Sequence, residues 1–246
     1  MSATVHNTPM TPGLIFDIGM HKGLDTEFYL NKGFKVVAVE ANPVLAAEGQ
    51  SRFASQIASG QLVIENVGIA QAAGTFPFYR NLENDEWSSF SPAHGARAGS
   101  KHEIIQIQAT TATALILKHG MPYYMKVDIE GMDWLPVAAL SDFSTRPAFV
   151  SVEDNSFQSL IQLHNKGAKA YKFIDQIEKW KDKPPNPPLE GSYVETTFGK
   201  WTSGLFGKEL PGDWLPLDAA AKFYLDNIRP PGAELHHWWD IHARFD

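Results

Sequence analysis

The stretch Phe16-Asp17-Ile18-Gly19-Met20-His21-Lys22-Gly23 sets a carboxylate and two glycines directly after an apolar run. Glycines let a ligand approach the backbone, and the first turn of a following helix offers free N–H groups. The order is not G-x-G-x-x-G: one glycine of the dinucleotide fingerprint is missing, and Asp17 ends the apolar run. A carboxylate there repels a pyrophosphate and suits a ligand that carries an ammonium group. Glu40 follows roughly 20 residues beyond the glycines, where an acidic side chain can accept from both hydroxyls of a ribose.

Two further acidic groups end apolar runs. In Lys126-Val127-Asp128-Ile129-Glu130-Gly131 the two carboxylates lie two positions apart, on one face of an extended segment. Glu153-Asp154-Asn155 closes the next run. Adjacent strand ends lie about 5 Å apart, so these groups could share one hard cation with oxygen ligands. The favoured reading assigns no metal: Asp128 meets the ligand's ammonium and Glu130 caps the next helix. In His236-His237-x-x-Asp240-x-His242, alternation puts His236, Asp240 and His242 on one strand face and His237 on the other. That spacing is no zinc signature and reads as a polar strand face. His21, in the glycine loop, is a candidate for acid–base work.

These groups need a scaffold that brings strand ends together. Apolar runs at 14–16, 36–39 and 62–69 alternate with helical stretches at 23–32 and 43–57. Three strand–helix repeats imply right-handed βαβ units and a parallel sheet. Strands at 75–79 and 104–108 flank a polar stretch, 81–102. The rhythm resumes with a helix at 113–119, a strand at 123–127, a helix from about Gly131, a strand at 149–152, a helix at 157–166 and a strand at 171–174. Pro184-Pro185-Asn186-Pro187-Pro188 is a stiff extended linker. The alternating tail, 239–245, predicts an antiparallel last strand beside the sixth. The expectation is an α/β, Rossmann-like domain over 13–246 with a mostly parallel seven-stranded sheet. Residues 1–12 form a frayed lead-in, and 81–102 and 178–216 are lid and cap segments. Trp87, Trp201 and Trp214 lie in the irregular regions, which are expected to form the acceptor pocket.

The 246 residues carry 21 Lys and Arg against 28 Asp and Glu, a net charge of −7, with 43% hydrophobic residues. That is globular composition, and the acidic balance argues against duplex DNA or an anionic membrane as partner. With no cysteine, disulfides, Cys-ligated zinc and thiol nucleophiles are excluded. No apolar run approaches the roughly 18–20 residues that span a bilayer, and the polar N-terminus lacks a signal pattern. The expected location is the cytoplasm.

Asp17-Ile18-Gly19-x-x-x-Gly23-x-Asp25-Thr26, Val37-Ala38-Val39-Glu40-Ala41-Asn42-Pro43 and Lys126-Val127-Asp128-Ile129-Glu130-Gly131 together resemble the FkbM family of S-adenosylmethionine-dependent methyltransferases. Asn66-Val67-Gly68-Ile69-Ala70, Ser88-Ser89 and Thr111-Ala112-Thr113-Ala114-Leu115 fall in the family's order, and the resemblance covers roughly residues 13–155. It implies a class I methyltransferase fold, S-adenosylmethionine as cofactor and O-methylation of a hydroxyl on a sugar or small natural product. Asp17, Gly19 and Gly23 would then line the methionine end, Glu40 the ribose, and Asn66 and Val67 the adenine. Asp25, Thr26, Ala41 and Asp128 complete the implied cofactor set. The catalytic base stays open between Asp128, Glu130, His21 and a metal-lowered acceptor. The rivals are a nicotinamide-dependent oxidoreductase, which lacks its glycine triplet here, and a non-catalytic S-adenosylmethionine-binding module.

Overall fold

Runs of Val, Ile, Phe and Met pack as strands buried on both faces, and the stretches between them cover the sheet. A computed structural model describes residues 5–154, 156–230 and 237–246. In chain order the elements are β1 (Met10–Ile18), α1 (Leu24–Asn31), β2 (Lys35–Val39), α2 (Pro43–Arg52), α3 (Ala54–Ala58) and β3 (Leu62–Glu65). They continue with β4 (Gly68–Ile69), β5 (Gly74–Asn81), α4 (Pro92–Gly95), β6 (His102–Thr110), α5 (Ala112–His119) and β7 (Met121–Val127). Last come α6 (Trp134–Ala139), β8 (Phe149–Glu153), α7 (Phe157–Asn165), β9 (Ala170–Asp175), α8 (Leu217–Phe223) and β10 (Trp239–Arg244).

The main sheet has seven strands in the order β3-β2-β1-β7-β8-β10-β9. β10 runs antiparallel to both β8 and β9, while β1, β2, β3, β7 and β8 pair in parallel. The Rossmann-like α/β sheet with an antiparallel last strand is therefore as the sequence predicts. Phe16, Ile18, Val37, Val39, Met125, Val127, Val150 and Ile241 face one core, with residues of α5, α6, α7 and α8. Ile15, Val36, Ala38, Tyr124, Phe149 and Ile174 face the other, with Phe28 and Tyr29 of α1.

Four local expectations change. Residues 62–69 are not one strand. After β3 the chain turns at Asn66 and Val67, and β4 joins a separate three-stranded sheet, β4-β6-β5. The turn is held by the Asn66 Nδ2 donating to the Glu40 carbonyl at 2.8 Å. The 43–57 helix breaks at Phe53, whose backbone leaves the helical region (φ −103°, ψ 25°) as its ring enters the core. The 1–12 lead-in is not frayed where it is described: Met10 and Thr11 already pair with Met121 and Pro122, and the His6 N–H donates to the Asp142 carbonyl at 2.7 Å. The helix expected from about Gly131 begins at Trp134.

The 178–216 segment packs into the second core. Phe206 stacks on Tyr124 with centroids 4.8 Å apart, and Phe198, Leu205 and Leu210 join the same cluster. Its anchor is an ion pair between Lys32 of the chain just after α1 and Glu209, 2.9 Å long with both side chains wholly buried. The Lys32 ammonium also donates to the Ser192 carbonyl, and Glu209 accepts the Leu189 N–H. Each buried charge has its partners, as an interior ion pair requires. Among the described residues, no helix is long and apolar enough to cross a membrane.

Candidate functional site

A cleft of about 490 Å³ opens at the carboxyl ends of β1, β2, β7 and β8, where open α/β sheets bind ligands. The glycine loop forms its floor. The Gly19 and Met20 N–H groups both donate to the Val39 carbonyl at 3.0 Å, folding the loop across β2. Gly19 has φ +93°, and a Cβ there would stand 1.8 Å from the Asp128 carbonyl oxygen. Only glycine lets β1 and β7 end so close together. Gly23 caps α1 at φ +73° against the Phe53 ring and does not line the cleft.

Asp17, which the resemblance sets at the methionine end, is wholly buried within β1 and does not line the cleft. Its carboxylate accepts from the Thr26 hydroxyl at 2.6 Å and lies 3.3 Å from the Lys126 ammonium. Thr26 is wholly buried too; both side chains act beneath the site. Lys126 is the group that reaches the cleft. It donates to the Gly19 carbonyl at 2.7 Å and stands 3.7 Å from Asp128 and 4.0 Å from Asp25. Burial works against its charge, but Asp17, Asp128 and Asp25 outweigh that and raise its pKa. Both Asp25 oxygens accept the Ser203 N–H, at 2.8 and 2.9 Å, which ties the cap to the floor. The sequence carries one signal for Lys126, a cation inside an otherwise apolar strand.

Glu40 sits at the opposite end. One oxygen accepts the His21 N–H at 2.7 Å and the other the Asn42 N–H at 2.8 Å. Burial pushes its carboxyl up to about 7 against those bonds. Ala41, Leu45, Val67, Ile69 and Phe90 line the space beyond it, while Asn66 faces away, onto the Glu40 backbone. His21 lines the same end, and its Nε2 lies 2.9 Å from Asp85.

Asp128, Glu130, Glu153 and Asp240 form an acidic wall at the far side. Glu130 adopts φ +50°, its carbonyl held by the Ser89 hydroxyl at 2.7 Å and its carboxylate 3.4 Å from Arg97. Burial and then the neighbouring Asp128 push its carboxyl up to about 8. Glu130 is not the helix cap. Asp133 holds the N-cap position of α6 without a side-chain cap bond, and its carboxylate instead accepts the upstream Ile129 and Gly131 N–H groups at 2.8 and 3.0 Å. Asp154 does not join the wall, because strand parity turns it to Tyr224 and Arg229, at 2.8 and 3.0 Å. Asn155 and His236 lie outside the described residues. His242 is buried away from the cleft, with burial pushing it down to about 3, and His237 bonds Asp175. Among the described residues, no three His, Cys, Asp or Glu side chains are placed to hold a metal ion.

The raised Glu130 value has a consequence for stability. Between its ordinary 4.5 and about 8, the folded protein keeps a proton that the unfolded chain has released. Stability therefore falls as pH rises through that window. His242 acts in the opposite sense only below its ordinary 6.5. From pH 6.5 to 8 Glu130 alone should cost about 2 kcal/mol in urea unfolding, at ~1.4 kcal/mol per proton per pH unit. Glu40 and Glu153, whose carboxyls burial also raises, add losses of the same sign. Glu130→Gln should reduce the slope by its share; a variant with the parent's slope would refute it.

The 81–102 segment contributes residues 84–88, Phe90 and Arg97 to the cleft, and the cap contributes Lys179 and residues 200–203. Asp85 lies 3.4 Å from Lys22, Glu86 lies 3.5 Å from Lys200, and Lys22 stacks over Trp201 at 4.3 Å. Trp87 and Trp201 line the cleft. Trp214 does not; it packs on Phe149 with centroids 5.8 Å apart.

The model of the methyltransferase FkbM domain matches residues 17–183. Among solved structures, a methyltransferase FkbM from Methylobacillus flagellatus is 16% identical with a TM-score of 0.40, over 65% of this chain and 36% of that one. The chain thus spans about a third of that protein's length. Precorrin-6y C5,15-methyltransferase from Geobacter metallireducens is 8% identical with a TM-score of 0.40, over 98% of this chain and 82% of that one. No curated protein matches. The motifs that frame this cleft fall inside the matched span, and the chain belongs to the FkbM family of methyltransferases.

Proposed function

We propose that the cleft binds S-adenosylmethionine and that the protein methylates a hydroxyl of a small molecule, a sugar or a natural product. The observation that carries the reading is Glu40, a buried carboxylate held rigid by two backbone N–H groups at the end of β2. Each of its oxygens keeps lone-pair capacity for one hydroxyl of a ribose diol. Leu45, Val67 and Ile69 offer an apolar slot for an adenine beyond it, and bare Gly19 lets the ligand lie against the loop. Asp128, half exposed beside Lys126, is placed to meet an ammonium.

When bound, the sulfonium supplies a methyl group already activated for displacement. The protein's own residues then align the acceptor and remove its proton. Glu130 is the base we assign, because it lines the cleft beside Asp128; with its carboxyl at about 8 it acts in its ionised form, so turnover should rise with pH through that value. Alignment by the cleft walls can supply roughly 7–11 kcal/mol of the barrier.

Calorimetric titration tests the cofactor assignment. Glu40→Ala should weaken S-adenosylmethionine binding by about 1–3 kcal/mol, the usual cost of losing charged hydrogen bonds. NAD should bind neither protein. Unchanged affinity in a folded variant would remove Glu40 from the ribose and with it this reading.

A further inference from the structure

Residues 81–102 show no apolar period, yet one buried side chain ties them into a single piece. Asn81 is 3% exposed. Its oxygen accepts the Glu83 and Asn84 N–H groups at 3.0 and 2.8 Å, and its amide donates to the Gly95 carbonyl at 2.9 Å and the Ser100 hydroxyl at 2.6 Å. Both donors and both lone-pair sites of the side chain are thereby used. These bonds fasten the turn that carries Trp87 to the turn that carries Arg97. The Arg97 guanidinium lies over the Trp87 ring, 4.2 Å from its centre, and both residues line the cleft. A planar guanidinium stacked on a ring is pre-organised and still presents its N–H edge.

That edge meets Glu130. The guanidinium Nη2 stands 3.4 Å from the Glu130 carboxylate. The same segment grips the backbone there: Ser89 donates to the Glu130 carbonyl at 2.7 Å, and the His94 ring covers Gly131, where an added Cβ would stand 2.6 Å from it. Glu130 keeps φ +50°, a conformation that persists where the surroundings over-determine it. Burial and the charges of Asp128, Asp133 and Glu86 act against an ionised Glu130, Glu153 faces it from β8, and the Arg97 charge favours ionisation. Two cations thus serve the two neighbouring carboxylates, Lys126 at 3.7 Å from Asp128 and Arg97 beside Glu130.

We propose that Arg97 is the positioning residue for the base: stacked on Trp87, it fixes the Glu130 carboxylate at the cleft wall and supplies the positive charge against which that carboxylate ionises. This rests on the methyl-transfer reading above, in which the ionised Glu130 takes the acceptor's proton.

Carboxyl NMR on protein isotope-labelled at the glutamate Cδ reads the contact directly, with the Glu130 signal assigned by its loss in Glu130→Gln. Arg97→Met should raise the Glu130 titration midpoint by about one pH unit, the low end of what an opposite charge at that range does. Arg97→Lys should restore part of the shift, since it keeps the charge and loses the flat stack. Trp87→Leu, which leaves the guanidinium without its platform, should move the midpoint up by less than Arg97→Met. In urea unfolding, the pH-dependent loss that Glu130→Gln removes should extend to higher pH in Arg97→Met, because a raised folded-state value prolongs it. A Glu130 midpoint unmoved by Arg97→Met overturns the proposal. Should that variant fail to fold, a midpoint unmoved by Trp87→Leu overturns it. If the midpoint moves while S-adenosylmethionine fails to bind the parent in calorimetry, the methyl-transfer reading falls and the Arg97–Glu130 pairing stands.

Discussion

Lys126→Met is expected to destabilise the protein by about 3–5 kcal/mol, the range for removing one partner of a buried charge pair. The ammonium is 5% exposed as a residue and is the cation shared by Asp17, Asp25 and Asp128. Without it, Asp17 keeps only the Thr26 hydroxyl and must take up a proton or remain charged in the core. The Gly19 carbonyl loses its donor as well, so the glycine loop loosens. Urea unfolding measures the loss, and adding Asp17→Asn to Lys126→Met should recover part of it, because the orphaned charge is gone. A single variant within about 1 kcal/mol of the parent would mean that the carboxylates do not depend on Lys126.

Gly19→Ala should be nearly as damaging, and it should act first on the ligand. The new methyl would lie 1.8 Å from the Asp128 carbonyl oxygen, in a backbone conformation at φ +93°. The left-handed conformation costs roughly 1–2 kcal/mol, and forcing a methyl into a filled site typically about 1–3 kcal/mol more. Relief requires β1 and β7 to part at the cleft floor, which moves Asp128 and breaks the bond from Lys126 to the Gly19 carbonyl. S-adenosylmethionine affinity should then fall at least a hundredfold. Gly60→Ala is the control: it shares a positive φ of +74° but has nothing within 4 Å of its added Cβ, so it bears the backbone cost alone. Equal losses of stability in the two variants would mean that the close approach to Asp128 is not a constraint.

Most of the strands and their alternation with helices were readable locally. Runs such as 36–39 and 149–152 are apolar at every position because both sheet faces are covered, and that is visible locally. The alternation at 239–245 marked the last strand by a different signal, period 2, although β10 is buried on both faces. Gly19, Glu40 and Asp128 were legible as cleft residues because each sits at the end of its own strand, and strand ends gather on one side of a parallel sheet. The turn at Asn66 and Val67 was not legible, since it depends on the Asn66 side chain meeting the Glu40 backbone from the neighbouring strand.

Which carboxylates face the cleft depends on contacts between strands far apart in the chain. Asp17 looked like a strand-end ligand group, but β1 runs on to Ile18 and Lys126 covers it from a strand far along the chain. Asp154 and Glu153 are neighbours in sequence, yet strand parity sends one to Tyr224 and Arg229 and the other to the cleft. Asp240 enters the wall because β10 pairs with β8 in one particular register. A shift of one residue would turn it to the opposite face. Periods of 2 and 3.6 report which side of its own element a residue occupies. They hold no information on the register between strands distant in the chain, because packing of the whole core sets that register.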